Sequence, residues 1–154
     1  MEHILISSCL LGLKTRYDGK DAFDSRVRKI EKGYILIPVC PELLGGLPIP
    51  REPLTIKRKD GYGFWEENIP VVLKTGKNMS HNFKEGALRT VDFAKILNIR
   101  RILLKDGSPS CGVFMTNSSF KKRRGIGVTA YLLSKNGFII DTIESFLESL
   151  KSLH

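Results

Sequence analysis

Cysteine is scarce in this chain, and the three present, Cys9, Cys40 and Cys111, are an odd number spread along it. That excludes a disulfide-built secreted scaffold and makes a reducing, cytoplasmic setting the expectation. Aromatic residues are only 8%, which leaves few stacking platforms for nucleic acid. Acidic residues are outnumbered, 16 against 25 basic ones, giving a formal charge of +9 and a pI near 9.6. No uninterrupted apolar run approaches the roughly 18 to 20 residues of a membrane span, and mean hydropathy is −0.10, so no membrane partner is expected. The uncharged stretch Ile4 to Leu13 could pass for a signal peptide, but Glu2 and His3 stand where a basic leader belongs. It reads as a buried strand. With 42% hydrophobic residues, disorder is excluded for most of the chain, and residues 1–154 are expected to form one domain.

What is present is an alternation of short apolar runs and helical patterns, the signature of βαβ units. Strands are expected at His3 to Ser7, Tyr34 to Val39, Arg101 to Lys105 and Phe138 to Asp141. Helices are expected over Ala22 to Lys32, over Ser80 to Asn98 with Ser80 as N-cap, over Gly127 to Lys135, and from Ile143 to the C-terminus behind Asp141 or Thr142. The fold class is α/β: a three-layer, mostly parallel, Rossmann-like sheet with helices on both faces. Five of the seven prolines fall between positions 40 and 70, beside Gly45, Gly46, Gly61 and Gly63. This predicts a long Pro/Gly-rich loop after the second strand, with room for a hairpin, covering the site. Lys121 to Arg124 reads as a loop.

Each cysteine follows a strand: Cys9 the first, Cys40 the second, Cys111 the third. In an open parallel sheet, ligands bind beyond the carboxyl ends of the strands, where the strand order reverses. A strand order of 2-1-3-4 would let all three thiols converge. The plainer reading is three buried small hydrophobes. Against it stand the turn-forming contexts Val39-Cys40-Pro41-Glu42 and Ser108-Pro109-Ser110-Cys111-Gly112. Structural zinc needs four ligands, usually at short spacings, and would have to recruit His3, His81 or His154. An iron-sulfur cluster is ordinarily held by thiolates, and three of them on a four-iron cluster leave one iron open.

Five motifs in order carry a resemblance: Ile6-Ser7-Ser8-Cys9-Leu10-Leu11-Gly12, Arg16-Tyr17-Asp18-Gly19-Lys20, Pro38-Val39-Cys40-Pro41-Glu42 through Gly45-Gly46-Leu47-Pro48, Ser108-Pro109-Ser110-Cys111-Gly112, and Gly125-Ile126-Gly127-Val128-Thr129-Ala130. From Leu5 to about Gly137 the chain resembles the thiouracil desulfidase family. The resemblance implies a 4Fe-4S cluster on Cys9, Cys40 and Cys111, whose open iron takes the sulfur of a thiolated pyrimidine. It implies that Glu42 activates water and that Ser108 assists proton transfer or orients the base, with Ser8, Ser110 and Asp18 as substrate-binding candidates. Glu42 also reads as a loop or capping carboxylate, Ser108 and Ser110 as turn residues around Pro109, and Asp18 as a turn residue. The substrate implied is a thiouracil, its nucleotide, or thiouridine in RNA. The chain departs from the family at Gly76-Lys77-Asn78-Met79-Ser80, where an acid is lost, and after Cys111, where a tyrosine-containing turn gives way to Met115 to Phe120 and four basic residues.

Two other readings compete. A phosphatase loop running from Cys9 to Arg16 is one residue too long to close. A basic nucleic-acid-binding module with non-catalytic cysteines would use Arg26 to Lys29, Lys57 to Lys59, Arg100-Arg101 and Lys121 to Arg124. No RNA-recognition motif accompanies those runs.

Overall fold

Ile4, Leu5 and Ile6 are all fully buried, the unbroken apolar run of a strand covered on both faces. They lie in the first element of a computed structural model that describes residues 1–153. The elements run β1 (Glu2–Ser7), a 3-10 turn (Ser8–Leu11), α1 (Val27–Ile30), β2 (Tyr34–Val39), α2 (Pro41–Leu44), β3 (Thr55–Ile56), α3 (Gly61–Glu66) and β4 (Val71–Val72). They continue with α4 (Ser80–Ile96), β5 (Arg101–Leu103), β6 (Met115–Ser118), β7 (Lys121–Arg124), α5 (Val128–Lys135), β8 (Ile139–Asp141) and α6 (Ile143–Lys151).

The first sheet has the order β2-β1-β5-β8 and is parallel throughout, which is the expected arrangement of the four expected strands. Leu5, Ile102 and Leu104 face Val91 and Ala94 of α4 and Ala130 and Leu133 of α5. On the opposite face Ile4, Ile6 and Leu103 meet Val27 and Ile30 of α1 and Ile143 and Phe146 of α6. The layers are therefore helix, sheet, helix. Thr142 rather than Asp141 caps α6: its Oγ1 accepts from Ser145 N at 3.0 Å while Ser145 Oγ accepts from Thr142 N at 2.9 Å, a reciprocal capping box.

A second sheet, β4-β3-β6-β7, departs from expectation. It is mixed, with β3 antiparallel to β4 and parallel to β6, and β6 antiparallel to β7. Its core of Ile56, Phe64, Ile69 and Val71 packs on Phe83 and Ala87 of α4 and on Val128. Helix α4 thus serves both sheets, its first turns the second sheet and its later turns the first. The expected loop from Cys40 to Ile69 holds α2, β3 and α3, and β4 follows it, both strands being too short for a periodicity to show. Lys121 to Arg124 is a strand, not a loop: hairpin pairing with β6 fixes it although all four side chains are exposed.

Two helix expectations also change. Ala22 to Lys32 contracts to Val27–Ile30, because the side chains of Asp21 and Asp24 accept from the backbone of Phe23 and Arg26 and hold the entry in turns that compete with helix. Ser80 is the first residue of α4 rather than its cap. Its Oγ accepts from Val71 N at 3.1 Å, so the hydroxyl ties the helix to β4 instead.

Close backbone approach fixes α2, the helix that follows Cys40. A Cβ on Gly86 of α4 would lie 2.1 Å from the carbonyl oxygen of Pro41, and one on Gly45 would lie 2.1 Å from that of Asn82. Gly to Ala inside a helix ordinarily gains about 1 kcal/mol, but here the clash reverses the sign. Gly86→Ala is expected to cost about 2 kcal/mol in urea unfolding. Gly33→Ala, where nothing lies within 4 Å, is expected to stay within about 0.5 kcal/mol of wild type.

Candidate functional site

Register sets the site. Ser7 pairs with Val39, and Ile6 with Leu103, so β1, β2 and β5 end side by side at the edge where the strand order reverses. A cleft of about 310 Å³ opens there, lined by Cys9, Cys40 and Cys111 together with Ser8, Glu42 and Ser108. Ser110 and Asp18 are not among the lining residues. Ser110 is buried, its Oγ 2.9 Å from Thr129 Oγ1, and its carbonyl accepts from Thr129 N and Ala130 N. It anchors the start of α5 to the Cys111 loop. Asp18 is exposed and accepts from Lys20 N at 3.0 Å, as a turn residue does.

Each thiol is placed by a different device. Cys9 sits in the tight turn directly after β1, which Gly12 ends with a φ of 97°. Cys40 precedes α2, with Pro41 as the first helical residue, a position that suits proline's fixed φ and missing donor. Cys111 lies on a loop wound around one atom: Oδ1 of Asp106 accepts from Val113 N, Phe114 N and Met115 N at 2.8, 3.0 and 3.0 Å. Ser108 Oγ accepts from Cys111 N at 2.7 Å, which leaves its own proton free to donate. Across the cleft Ser8 Oγ lies 2.5 Å from Thr15 Oγ1.

Burial raises all three thiols above the ordinary range. For Cys111 burial comes first, then negative charge on Cys40, Glu42 and Cys9, and together they push it up to about 12. Cys40 is likewise the nearby charge that raises Cys9 after burial, with Lys105 and Arg16 acting against it. Three neighbouring sulfurs in a desolvated cleft cannot all ionise on their own. A cationic centre that takes them as thiolates removes that cost.

Three thiols lining one cleft are the donor type that an iron-sulfur cluster takes. Among the described residues no three His, Cys, Asp or Glu side chains are close enough to hold one metal ion. A cluster asks for less, because each thiolate binds its own iron. His3 and His81 are exposed and neither lines the cleft, so among the described residues no imidazole completes a zinc site there. His154 lies outside the described residues.

Glu42, in the first turn of α2, forms a buried ion pair with Arg51, the side chains being 13% and 6% exposed. Sequence reasoning missed Arg51, because it stands in the proline-rich segment with no motif around it. It named Arg16 within a motif and Lys122 within a basic run without assigning either, or Lys105, to the cleft they line. Lys122 comes from β7, in a basic run that the sequence does not connect with the cysteines. Asp106 left a signal in Asp106-Gly107-Ser108-Pro109, a turn-forming series.

Comparison with known proteins follows the same lines. Residues 4–144 match the family model described as 2-thiouracil desulfurase. The protein YbbK of Bacillus subtilis (strain 168) is 40% identical over 138 residues, 88% of this chain and 91% of that one. A solved structure titled as the 4Fe-4S-dependent thiouracil desulfidase TudS superposes with a TM-score of 0.80 at 31% identity, covering 99% of this chain and 98% of that one. No described helix is long and apolar enough to cross a membrane.

Since one oxygen of Asp106 pairs three backbone donors of the Cys111 loop, Asp106→Ala is expected to cost about 3 kcal/mol in urea unfolding, from three unpaired backbone donors. Asp106→Asn retains an acceptor oxygen and is expected to cost about 1 kcal/mol.

Proposed function

The chain belongs to the 2-thiouracil desulfurase family, and from that premise we propose that it is an iron-sulfur desulfidase that hydrolyses the C–S bond of a thiolated pyrimidine bearing a phosphate. The observation that carries this reading is the meeting of Cys9, Cys40 and Cys111 with Glu42 in one cleft. In the net reaction water adds its oxygen to the thiocarbonyl carbon, the C–S bond breaks, and sulfur leaves as hydrogen sulfide with both protons of the water. No electron is gained or lost.

Cys9, Cys40 and Cys111 would hold a 4Fe-4S cluster. Bound there, the cluster supplies an open, soft Lewis acid that makes the pyrimidine sulfur a better leaving group. The chain's own residues do the rest. Glu42 accepts the proton of the attacking water on a carboxylate oxygen. Ser108, its oxygen already engaged by Cys111 N, donates toward the ring and orients it. Arg16, Lys105 and Lys122 face the same cleft and supply positive charge where a 5′-phosphate would lie. A free base would leave that charge unused. A thiouridine within RNA would extend the contact along the exposed remainder of β7.

The test is anaerobic reconstitution with iron and acid-labile sulfide counted per chain, followed by loss of thiocarbonyl absorbance on 4-thiouracil, on 4-thiouridine monophosphate and on a thiouridine-containing RNA. Each of Cys9→Ala, Cys40→Ala and Cys111→Ala is expected to lose the cluster. Glu42→Gln is expected to keep it and lose at least about 100-fold in kcat. Lys122→Ala should raise KM for the nucleotide about tenfold while leaving that for the free base unchanged, and added salt should weaken only phosphate-bearing substrates. A reconstituted chain that turns over none of the three overturns the reading.

A further inference from the structure

Arg51 donates from Nε at 2.8 Å and from Nη2 to the same oxygen of Glu42, Oε2. A guanidinium facing a carboxylate commonly spends two donors on two oxygens; here both converge on one. Oε1 has no partner among the described residues, and it is not buried either. Among the described residues the one fully buried side-chain polar atom without a partner is Ser118 Oγ, so Oε1 keeps some exposure, and Glu42 lines the cleft. Two further bonds hold the guanidinium, and one holds the residue's backbone. Nη1 donates to the Pro48 carbonyl and Nη2 to the Thr15 carbonyl, each at 3.2 Å, while Arg51 N donates to the Tyr17 carbonyl at 2.8 Å. A side chain held this way has little freedom left to follow Glu42; Glu42 must follow it.

We infer that Arg51 is the positioning residue of the site: it holds Oε2 and thereby presents Oε1 of Glu42 to the water that attacks the substrate. The inference rests on the desulfidase reading, and it deepens that reading by assigning Glu42's orientation to a residue outside every motif. Arg51 also joins the Thr15 to Tyr17 segment to α2, so the wall carrying Arg16 and the carboxylate keep one relative position. A lysine, with a single point charge in place of a planar fork, cannot grip Oε2 and the two carbonyls together.

The experiment is a double-mutant cycle on the full, cluster-loaded chain. Arg51→Gln is expected to keep the wild-type iron and sulfide content and the KM for thiouracil, and to lower kcat about 100-fold. Arg51→Lys should recover less than a tenth of the loss. In the Glu42→Gln background, Arg51→Gln should change kcat by less than about threefold, because the group through which Arg51 acts is already gone. A merely structural arginine would lower kcat equally in both backgrounds, and that result overturns the inference. So does an unchanged kcat in Arg51→Gln, or a loss seen only in KM, which would place Arg51 on the substrate itself. Where Arg51→Gln loads iron poorly, Arg51→Ala with added methylguanidine decides: restored turnover supports the inference, and restored iron content without turnover overturns it. A wild-type chain that loads its cluster and releases no sulfide overturns the functional reading and this inference with it, whereas active wild type beside additive variants overturns the inference alone.

Discussion

Two strand pairings, Ser7 with Val39 and Ile6 with Leu103, carry the geometry on which everything else depends. Neighbouring strands lie about 4.8 Å apart, and β1 has a partner on each side, so three chain exits emerge within about 10 Å of one another. A slip of one residue in either register would invert every side chain of the slipped strand across the sheet. Burial of Leu5 on one face and of Ile4 and Ile6 on the other forbids it. The same apolar contacts that stabilise the core therefore locate the sulfurs. Three loops leaving that edge carry the sulfurs, and residues 51–54 with Asn117 and Lys122 of the second sheet complete the lining of the cleft.

Those loops bring together groups that would rather stay apart. Three thiols and a carboxylate share a desolvated space, and negative charge on each raises the thiols around it. The protein meets the carboxylate's share of that conflict with Arg51, nearly buried and paired to Glu42. Against the thiols' share it sets Lys105 and Arg16 for Cys9, the backbone of Leu43 and then the charge of Arg51 for Cys40, and the Ser7 hydroxyl for Cys111. A buried ion pair is weak support for stability, because desolvation offsets attraction. Its value here is specificity: one donor set holds one carboxylate oxygen and leaves the other.

Legibility in the sequence followed length and local chemistry. The strands Tyr34 to Val39 and Arg101 to Leu103 and the helix α4 were readable because burial on one or both faces leaves an apolar signature. The cysteines were readable because each follows a strand. The second sheet was not: β3 and β4 have two residues each, below the length at which period two can be told from chance. Arg51 was invisible for a different reason. Its role comes from hydrogen bonds to Glu42, Thr15 and Tyr17, all at least nine residues away, and no spacing rule encodes those. Ser110 shows the opposite failure, a motif residue whose neighbours in the chain suggested the cleft while its side chain turns away to Thr129.

The basic charge divides between two duties. Strand β7 is the edge of its sheet, and its four residues are Lys, Lys, Arg and Arg, all exposed. Consecutive cations on an edge strand block pairing with a second chain, and that alone accounts for most of the run without any nucleic acid. Lys122 is the exception. It lies against Gly107, where an added Cβ would come 2.6 Å from its Cε, and it lines the cleft beside the cysteines. Gly107 has a φ of 90°, so glycine meets two demands at once there: a left-handed turn into the Ser108 to Cys111 loop, and room for a lysine stem to cross it. The hairpin and the cysteine loop are thus fitted to one another, and of the four cations of β7 it is Lys122 that reaches from the sheet edge into the cleft.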